Sequence, residues 1–455
     1  MSVNGGLSFP YVLADDTPND GTETLTLPVA APTSSGISPR IKVVGRGNVF
    51  FNISPAFTLT LPANSIQFSS ASYSGSEGDN PKQITVTVTR TGELSGSATA
   101  EYHTFDNSSG SPCKTLNTSR ASSRCDYETA AGFITFGPGE STKIINIPIV
   151  DDSYPDGTEL FNIALGNIVG ASFGSPTQAT ITLFDNDATV GPNQIDEAGY
   201  FVRQHYIDFL NREPDAPGLA HWSNEILQCG ANPGCVEIKR INVSAAFYLS
   251  IEFQETGFLV YRLYKAANGD VTGFSDIDGH HSLPVPSVQF NEFLADSRRI
   301  GEGIVVGQPG WAEALEANKQ KFIDEFLQRI RYAGLTGLTP AKFVDTLNAN
   351  AGNPMSAGER DQLVADLSFG IKTQAQVLRA VVEDVDLVNA EKNRAFVLMQ
   401  YFGYLRRNPN ENPDSDHTGY DHWLRKLNDF GGNFVNAEMV KAFLNATEYR
   451  ERFAP

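Results

Sequence analysis

The chain contains 455 residues, of which 40% are hydrophobic and 19% charged, and its formal net charge is −19. This length exceeds what one ordinary hydrophobic core organises, so we expect two or three domains. The acidic balance argues against nucleic acid as a partner, because no basic stripe is present to displace phosphate counterions. No apolar run approaches the roughly 18 residues of a membrane span, which argues against a membrane-spanning helix.

Residues 1–190 alternate apolar and polar positions in short segments between Gly, Asn, Asp and Pro turns, which predicts β structure. An acidic stretch at 15–23 matches 151–159 at constant spacing, and both lead into an alternating segment. We interpret residues 1–64 as a partial β-sandwich unit, since its strands at 25–29, 41–44, 49–53 and 57–61 make up only about half of a sandwich. The alternatives are a chance acidic turn and a segment that folds back onto its own sandwich.

A partial sandwich leaves an apolar face and open strand edges, which predicts self-association. A neighbouring copy could supply the missing strands, and a head-to-tail contact of this kind extends into a filament unless it closes into a ring. The first six residues lack the basic and apolar regions of a signal peptide. We therefore expect either that an export signal has been removed or that Met1 begins a fragment.

The four cysteines form two close pairs within loop-like sequence, Cys113 with Cys125 and Cys229 with Cys235. Neither pair has the CxxC spacing or the histidine partner of a zinc site. We interpret them as two local disulfides, and the alternative is buried free thiols. Disulfides indicate an oxidising compartment, so we expect a secreted or cell-surface protein.

Beyond a linker near 188–195 the apolar residues recur at helical spacing, which predicts an all-helical repeat domain over 191–455. The apolar, Arg and His-Trp positions of residues 201–253 return in residues 396–449. An insertion at about 268–338 separates the copies, with helices expected around 287–298 and 311–331. The Gly/Pro-containing linker predicts a flexible connection that a cation on the preceding acids would immobilise.

Two features of the repeat invite a functional interpretation. His221-Trp222 and His422-Trp423 occupy equivalent positions, which favours packing over catalysis or metal binding. Arg212 and Arg407 follow the first helix of each copy, where we expect a cation to complement the helix dipole and the free carbonyl groups.

Eight carboxylates in the second quarter of the chain are spaced as strand-end and loop residues of one small β-sandwich. Residues 65–190 hold 14 acids against 6 bases. Carboxylates held together repel one another unless a cation neutralises them, and oxygen-only ligands select calcium. We therefore expect calcium to bind through Glu77, Asp126, Asp151, Asp152, Asp156, Glu159, Asp185 and Asp187.

The motifs around these acids resemble the Calx-beta domain, the calcium-binding sandwich of sodium–calcium exchangers, integrin β4 and many bacterial surface proteins. They are Ser76-Glu77-Gly78, Cys125-Asp126-Tyr127, the strand and turn at 132–142, the acidic loop at 151–159 and Leu183-Phe184-Asp185-Asn186-Asp187. The resemblance implies a seven-stranded immunoglobulin-like sandwich over 65–190, with all eight acids at one end. Eight negative charges could be neutralised by as many as four divalent cations, so more than one calcium ion is expected. Asn186 and Ser153 stand where relatives carry acids, so we expect one site to be weak or missing. The alternative is a degenerate sandwich that binds no metal.

The helical repeats, over about 197–453, resemble the bacterial domain of unknown function 4214, whose members accompany extracellular calcium-binding modules. That resemblance implies no catalytic role.

We interpret the chain as an extracellular bacterial structural or adhesive protein, a component of a surface layer, matrix or filament that calcium stiffens. A second interpretation is a calcium-dependent module that binds carbohydrate, protein or other cell-surface components. A third is an enzyme with its site in the insertion, but no paired acid and base residues favour catalysis there, so we expect no enzymatic activity.

Overall fold

The computed structural model describes residues 1–18, 22–25, 38–45, 47, 50–57, 64–107, 113, 119–277, 281–285 and 288–454. The predicted combination of an all-β sandwich and a helical C-terminal part is confirmed. None of the helices in these ranges is long and apolar enough to cross a membrane.

The N-terminal segment contributes one small hairpin. Strand β1 (Lys42–Val44) pairs antiparallel with β2 (Phe51–Ile53), close to two of the strands expected there. The other two expected strands, at 25–29 and 57–61, fall largely outside the described residues. The described part of residues 1–64 therefore supplies two short strands.

The sandwich strands alternate buried and less buried side chains, because successive residues of a strand point to opposite faces. In chain order they are β3 (Ser65–Phe68), β4 (Ser72–Ser76), β5 (Gln83–Thr91), β6 (Ala98–Asp106), β7 (Ala131–Phe136), β8 (Thr142–Pro148), β9 (Glu159–Val169), β10 (Ser172–Phe173) and β11 (Gln178–Phe184).

Two sheets form the sandwich, one in the order β10-β3-β5-β8 and the other in the order β4-β11-β9-β6-β7. The sandwich thus has nine strands among the described residues, where the family resemblance implied seven. The difference arises because the chain crosses from one sheet to the other between β3 and β4, and because the two residues of β10 pair with β3. The core lies between the sheets, where Tyr127 stacks on Phe161 with ring centroids 3.7 Å apart.

The topology brings several strand ends to one edge of the sandwich. Strands β4 and β11 run parallel, so both end there, with Ser76 opposite Phe184. Strand β9 begins at the same edge, because Glu159 lies opposite Leu183. We call this edge the acidic end.

The helical part packs around one large core. In chain order its helices are α1 (Ala198–Leu210), α2 (Ala216–Leu227), α3 (Pro233–Leu249), α4 (Ile251–Glu255), α5 (Gly257–Asn268), α6 (Phe290–Gly301), α7 (Trp311–Leu327), α8 (Ala333–Thr336), α9 (Pro340–Asn350), α10 (Ala357–Ser368), α11 (Gln374–Val382), α12 (Val385–Gln400), α13 (Thr418–Asp429), α14 (Met439–Leu444) and α15 (Thr447–Arg450).

The expected insertion contains α6 and α7 near the positions predicted from the sequence, and also a hairpin that the sequence analysis missed. Strand β12 (Val271–Ser275) pairs antiparallel with β13 (His281–Val285). The hairpin docks beside the start of α13, where the His417 N–H donates to the Phe274 carbonyl oxygen at 2.9 Å. Five-residue strands carry too little alternation to be distinguished from loop sequence.

The internal repeat is visible as matched contacts in the two copies. A Cβ added to Gly218 would overlap the Tyr206 hydroxyl oxygen, and one added to Gly419 would overlap that of Tyr401. The tryptophan of each His-Trp pair packs on a phenylalanine of its own copy, and the histidine beside it is exposed. This arrangement fits the packing role predicted for these pairs.

The arginine after the first helix of each copy has a different role from the one we expected. Arg212 forms two hydrogen bonds with the Glu252 carboxylate, at 2.6 and 2.8 Å, and Arg407 forms two with Glu448, at 2.6 and 2.9 Å. Each arginine therefore ties the first helix of its copy to the last. The sequence could not show this, because the partner glutamates lie about 40 positions further along the chain.

A buried cluster of charges joins the sandwich to the helical part. The Glu128 carboxylate contacts Arg406 at 2.8 Å and Arg452 at 2.9 Å, and Asp208 contacts Arg452 at 3.1 Å. All four side chains are at most 2% exposed. We call Glu128, Asp208, Arg406 and Arg452 the interface ion cluster. Its two positive and two negative charges compensate each other, which buried ions require.

The linker is also held, contrary to the flexible connection expected from its composition. The Ser153 hydroxyl donates to the Pro192 carbonyl oxygen at 2.9 Å, and the Gln194 amide donates to the Asp152 carbonyl oxygen at 2.6 Å. The Asn193 amide donates to the Arg450 carbonyl oxygen at 3.0 Å. Glycine and proline indicate a mobile linker only where no neighbouring group binds it, and here both domains bind it.

Candidate metal centre

The predicted ligands lie at the acidic end of the sandwich. Glu77 follows β4, Asp185 and Asp187 follow β11, and Glu159 is the first residue of β9. The loop between β8 and β9 carries Asp151, Asp152 and Asp156, and Asp126 precedes β7. The Val150 N–H donates to the Asp126 carbonyl oxygen at 3.1 Å, which places Asp126 beside that loop.

Six of the eight carboxylates form two compact groups. Asp126, Asp152 and Asp156 are buried and have ligand oxygens within 4.8 Å of one another, and we call them the inner group. Glu77, Asp151 and Asp187 meet the same distance criterion, and we call them the outer group. Hard oxygen ligands in such sets are typical of calcium sites.

The other two predicted ligands adjoin these groups. Glu159 shares a side-chain hydrogen bond with Asp126 of the inner group. Asp185 accepts the backbone N–H of Gly157 at 2.9 Å and that of Asp187 at 2.6 Å, one on each oxygen. Asp185 therefore orders the backbone of both acidic loops, and its oxygens already have hydrogen-bond donors.

Several buried carboxylate oxygens at the acidic end have no hydrogen-bond partner among the described residues. They are Glu77 Oε2, Asp152 Oδ2, Asp156 Oδ1, Glu159 Oε2 and Asp187 Oδ2. A buried acceptor without a donor costs roughly 1–3 kcal/mol, and more when it is charged. Five such oxygens in one small region need a cation or protons.

The pKa values of these carboxyl groups also show that burial and mutual repulsion disfavour their charged forms. Burial, followed by the charges of Asp156 and Asp126, raises the pKa of Glu77 to about 9. Burial and the charges of Asp126 and Glu77 raise the pKa of Asp152 to about 10. Burial and the charge of Asp126 raise the pKa of Asp156 to about 7 and that of Glu159 to about 11. Without a cation to balance their charge, Glu77, Asp152 and Glu159 therefore stay protonated at neutral pH.

Lys82, which the sequence did not single out, contacts the outer group. Its ammonium group pairs with the Asp151 carboxylate and lies 3.5 Å from the Glu77 carbonyl oxygen. The Asn186 amide donates to the other Asp151 oxygen at 3.1 Å. A lone lysine before a strand gives no signal in the sequence. Lys82 neutralises part of the outer group and Asn186 adds a hydrogen bond to it, whereas the inner group forms no ion pair with a lysine or arginine among the described residues.

Both predicted disulfides are present, and one borders the site. Cys113 is bonded to Cys125 and Cys229 to Cys235, with Cα atoms 5.7 and 5.5 Å apart. Cys125 immediately precedes Asp126, whose carboxylate accepts the Ser122 N–H. The first disulfide therefore constrains the turn that presents a carboxylate of the inner group.

The donor set fits calcium. It consists of carboxylate oxygens, contains no cysteine or histidine, and includes buried oxygens that have no hydrogen-bond donor among the described residues. Residues 62–187 match the family model of the Calx-beta domain. The sandwich is a Calx-beta domain.

The curated relatives match about a quarter of the chain. Sodium/calcium exchanger 1 of Canis lupus familiaris is 27% identical over 144 residues, which cover 28% of this chain and 14% of the exchanger. The adhesion G-protein coupled receptor V1 of Danio rerio is 33% identical over 114 residues, which cover 25% of this chain and 2% of the receptor. Calx-beta domains are calcium-binding modules in sodium/calcium exchangers.

Solved structures match a similar share of the chain. The apo-form Calx CBD1 domain is 27% identical, covering 28% of this chain and 100% of that chain with a TM-score of 0.24. The calcium binding domain CBD12 of CALX1.1 is 28% identical, covering 27% of this chain and 46% of that chain with a TM-score of 0.23. The chain spans only 14% of the exchangers it matches.

Proposed function

We propose that the Calx-beta domain of this chain binds calcium at its acidic end. The observation that carries the proposal is the set of buried carboxylate oxygens without a hydrogen-bond partner among the described residues. The residues that would hold the metal are Glu77, Asp126, Asp151, Asp152, Asp156, Glu159, Asp185 and Asp187. Bound calcium would neutralise these charges and hold the loops that carry them.

The inner group is the stronger candidate within this site. Its three carboxylates are 0–5% exposed and have no lysine or arginine against them among the described residues. The outer group is partly neutralised by Lys82. We therefore propose fewer ions than the four that eight carboxylates could balance, with the inner group and Glu159 occupied first.

Thermal melting of the full chain tests this proposal. Extracellular calcium modules bind at about 10⁻⁴–10⁻³ M, so millimolar calcium should raise Tm above its value in chelator. Asp156→Asn should reduce the shift. The matched control is Glu140→Gln, because Glu140 pairs with Lys143 on the surface of the same domain, beyond the far end of β7. A wild-type Tm that calcium leaves unchanged would refute the proposal.

We further propose that the chain is a secreted or cell-surface bacterial protein with a structural or adhesive role. The two disulfides support an oxidising location. The matched contacts of the two helical copies support the proposal that residues 197–453 belong to the bacterial domain of unknown function 4214. In this role calcium would stiffen the chain within a surface layer, matrix or filament.

Self-association through the N-terminal hairpin is part of this proposal. Val43 is 67% exposed and Phe51 59%, so the hairpin presents apolar side chains that would be buried against a second copy. Val43→Ser combined with Phe51→Ser should shift concentrated protein in calcium towards monomer, as measured by light scattering. The control is Phe369→Ser with Ile371→Ser, which removes an exposed apolar pair from the helical part. A monomeric wild-type protein under these conditions would remove the assembly role.

A cleft in the helical part supports a second candidate function, a calcium-dependent module that binds carbohydrate or protein. The cleft has a volume of about 550 Å³ and lies between the start of α3 and helices α14 and α15. Arg240, Lys441 and Arg450 line it together with Asp196 and Glu237. Binding of labelled oligosaccharides and acidic peptides, with Lys441→Ala as the variant, would distinguish this function from a purely structural one.

A further inference from the structure

The loop segment that carries two proposed ligands is shared by both domains. We call residues 150–154 the ligand segment. Asp151 and Asp152 face the acidic end, whereas Val150 packs in the core of the helical part. The Ser153 N–H donates to the Phe453 carbonyl oxygen at 3.1 Å, and the Tyr154 hydroxyl donates to the Glu451 carbonyl oxygen at 3.1 Å. The ligand segment thus has the metal site on one side and the C-terminal residues on the other.

The same C-terminal residues reach the turn that presents Asp126. Arg452 donates from Nε to the Arg124 carbonyl oxygen at 2.7 Å and from Nη2 to Glu128 at 2.9 Å. Arg124 and Glu128 stand two positions to either side of Asp126. One short stretch, residues 451–453, therefore holds the backbone around both Asp126 and Asp152 of the inner group.

We infer that Tyr154 and Arg452 are positioning residues of the calcium site, and that the C-terminal end of the helical part sets its calcium affinity. The inference rests on the proposed calcium binding and deepens it. Ligands that are already held in place lose less conformational freedom when an ion binds, so fixing both backbone segments raises affinity. Coupling of this kind is reciprocal, so calcium must in turn stabilise residues 451–453.

Hydrogen exchange of the full chain tests the reciprocal effect without any substitution. Calcium should slow exchange of the amides of Arg452 and Phe453, which donate to Tyr449 and Arg450 carbonyl oxygens and touch no proposed ligand. Amides of α9 and α10 are the internal control, because they should change little if the effect is local. Calcium binding that protects only the acidic loops would overturn the inference. The inference would also be overturned if calcium slowed exchange in α9 and α10 as much as at Arg452 and Phe453, because equal slowing reports only global stabilisation.

Tyr154→Phe tests the positioning role directly. Loss of one hydrogen bond from the ligand segment should weaken calcium binding about fivefold. The matched control is Tyr248→Phe, which loses the same kind of bond, from its hydroxyl to the Lys392 carbonyl oxygen at 2.9 Å, inside the helical part. A merely structural role would lower Tm in chelator for both variants and leave both calcium affinities at the wild-type value, which would overturn the inference and leave the calcium site standing. A wild-type chain that binds no calcium would overturn both proposals.

Discussion

Glu128 of the Calx-beta domain and Arg452 near the end of the chain lie 2.9 Å apart, and both side chains are at most 2% exposed. A contact across 324 positions, buried from solvent, makes the two domains parts of one folded unit. Glu128 forms ion pairs with two arginines, so loss of its charge leaves more positive than negative charge in the interface ion cluster.

We therefore predict that Glu128→Gln lowers the free energy of unfolding by about 3 kcal/mol, because breaking a buried pair leaves an uncompensated charge. Denaturant unfolding, followed both by a sandwich probe and by a helical probe, measures the loss. Glu140→Gln, at a surface ion pair, should change stability by less than about 1 kcal/mol. Equal effects of the two substitutions would contradict a structural role for the cluster.

The second prediction concerns the pH dependence of stability in chelator. Burial raises the pKa of Asp156 to about 7 and that of Glu77 to about 9, above the values of an unfolded chain. Between these unfolded and folded values the native state binds more protons, so the free energy of unfolding falls as pH rises. Tm in chelator should therefore decrease from about pH 5 to pH 9, and calcium should weaken the decrease because it replaces the protons. A Tm that rises across this range in chelator would contradict the assignment.

The third prediction concerns Lys82. Its ammonium group is a built-in cation for the outer group, so Lys82→Met should increase calcium binding, either by one more ion for each chain or by tighter binding. Isothermal titration calorimetry measures both quantities. Lys143→Met is the control, because Lys143 pairs with Glu140 away from the acidic end. Unchanged binding in both variants would show that Lys82 does not compete with calcium.

The fourth prediction concerns the close contacts repeated in the helical part. Gly218→Ala and Gly419→Ala should each lower the free energy of unfolding by about 1–3 kcal/mol, because the new Cβ overlaps a tyrosine hydroxyl. Gly358→Ala in α10 is the control, since no atom lies within 4 Å of the added Cβ, and it should raise stability by up to about 1 kcal/mol. Thermal unfolding distinguishes the two classes, and a stable Gly218→Ala variant would contradict the repeat packing.

The ligand carboxylates were predictable because strand alternation and turn residues show where a strand ends, and acids at successive strand ends meet at one edge. Lys82 was not, because one lysine before β5 has the same sequence context as a solvated surface residue. The interface ion cluster was equally hidden, since Glu128, Asp208 and Arg452 are far apart in the chain and each is surrounded by ordinary sequence. The flexibility predicted for the linker from its glycine and proline content was wrong, because Ser153 and Asp152, which bind Pro192 and Gln194, lie in a different segment of the chain.

The central claim is that the buried carboxylates of the Calx-beta domain hold calcium. Equilibrium dialysis of the full chain against radioactive calcium, with a variant carrying Asp126→Asn, Asp152→Asn and Asp156→Asn beside Glu140→Gln, tests it most directly. The structure predicts that wild-type protein and Glu140→Gln retain at least one calcium ion per chain at millimolar free calcium, and that the triple variant retains fewer. Equal retention by the wild-type protein and a folded triple variant would contradict the claim.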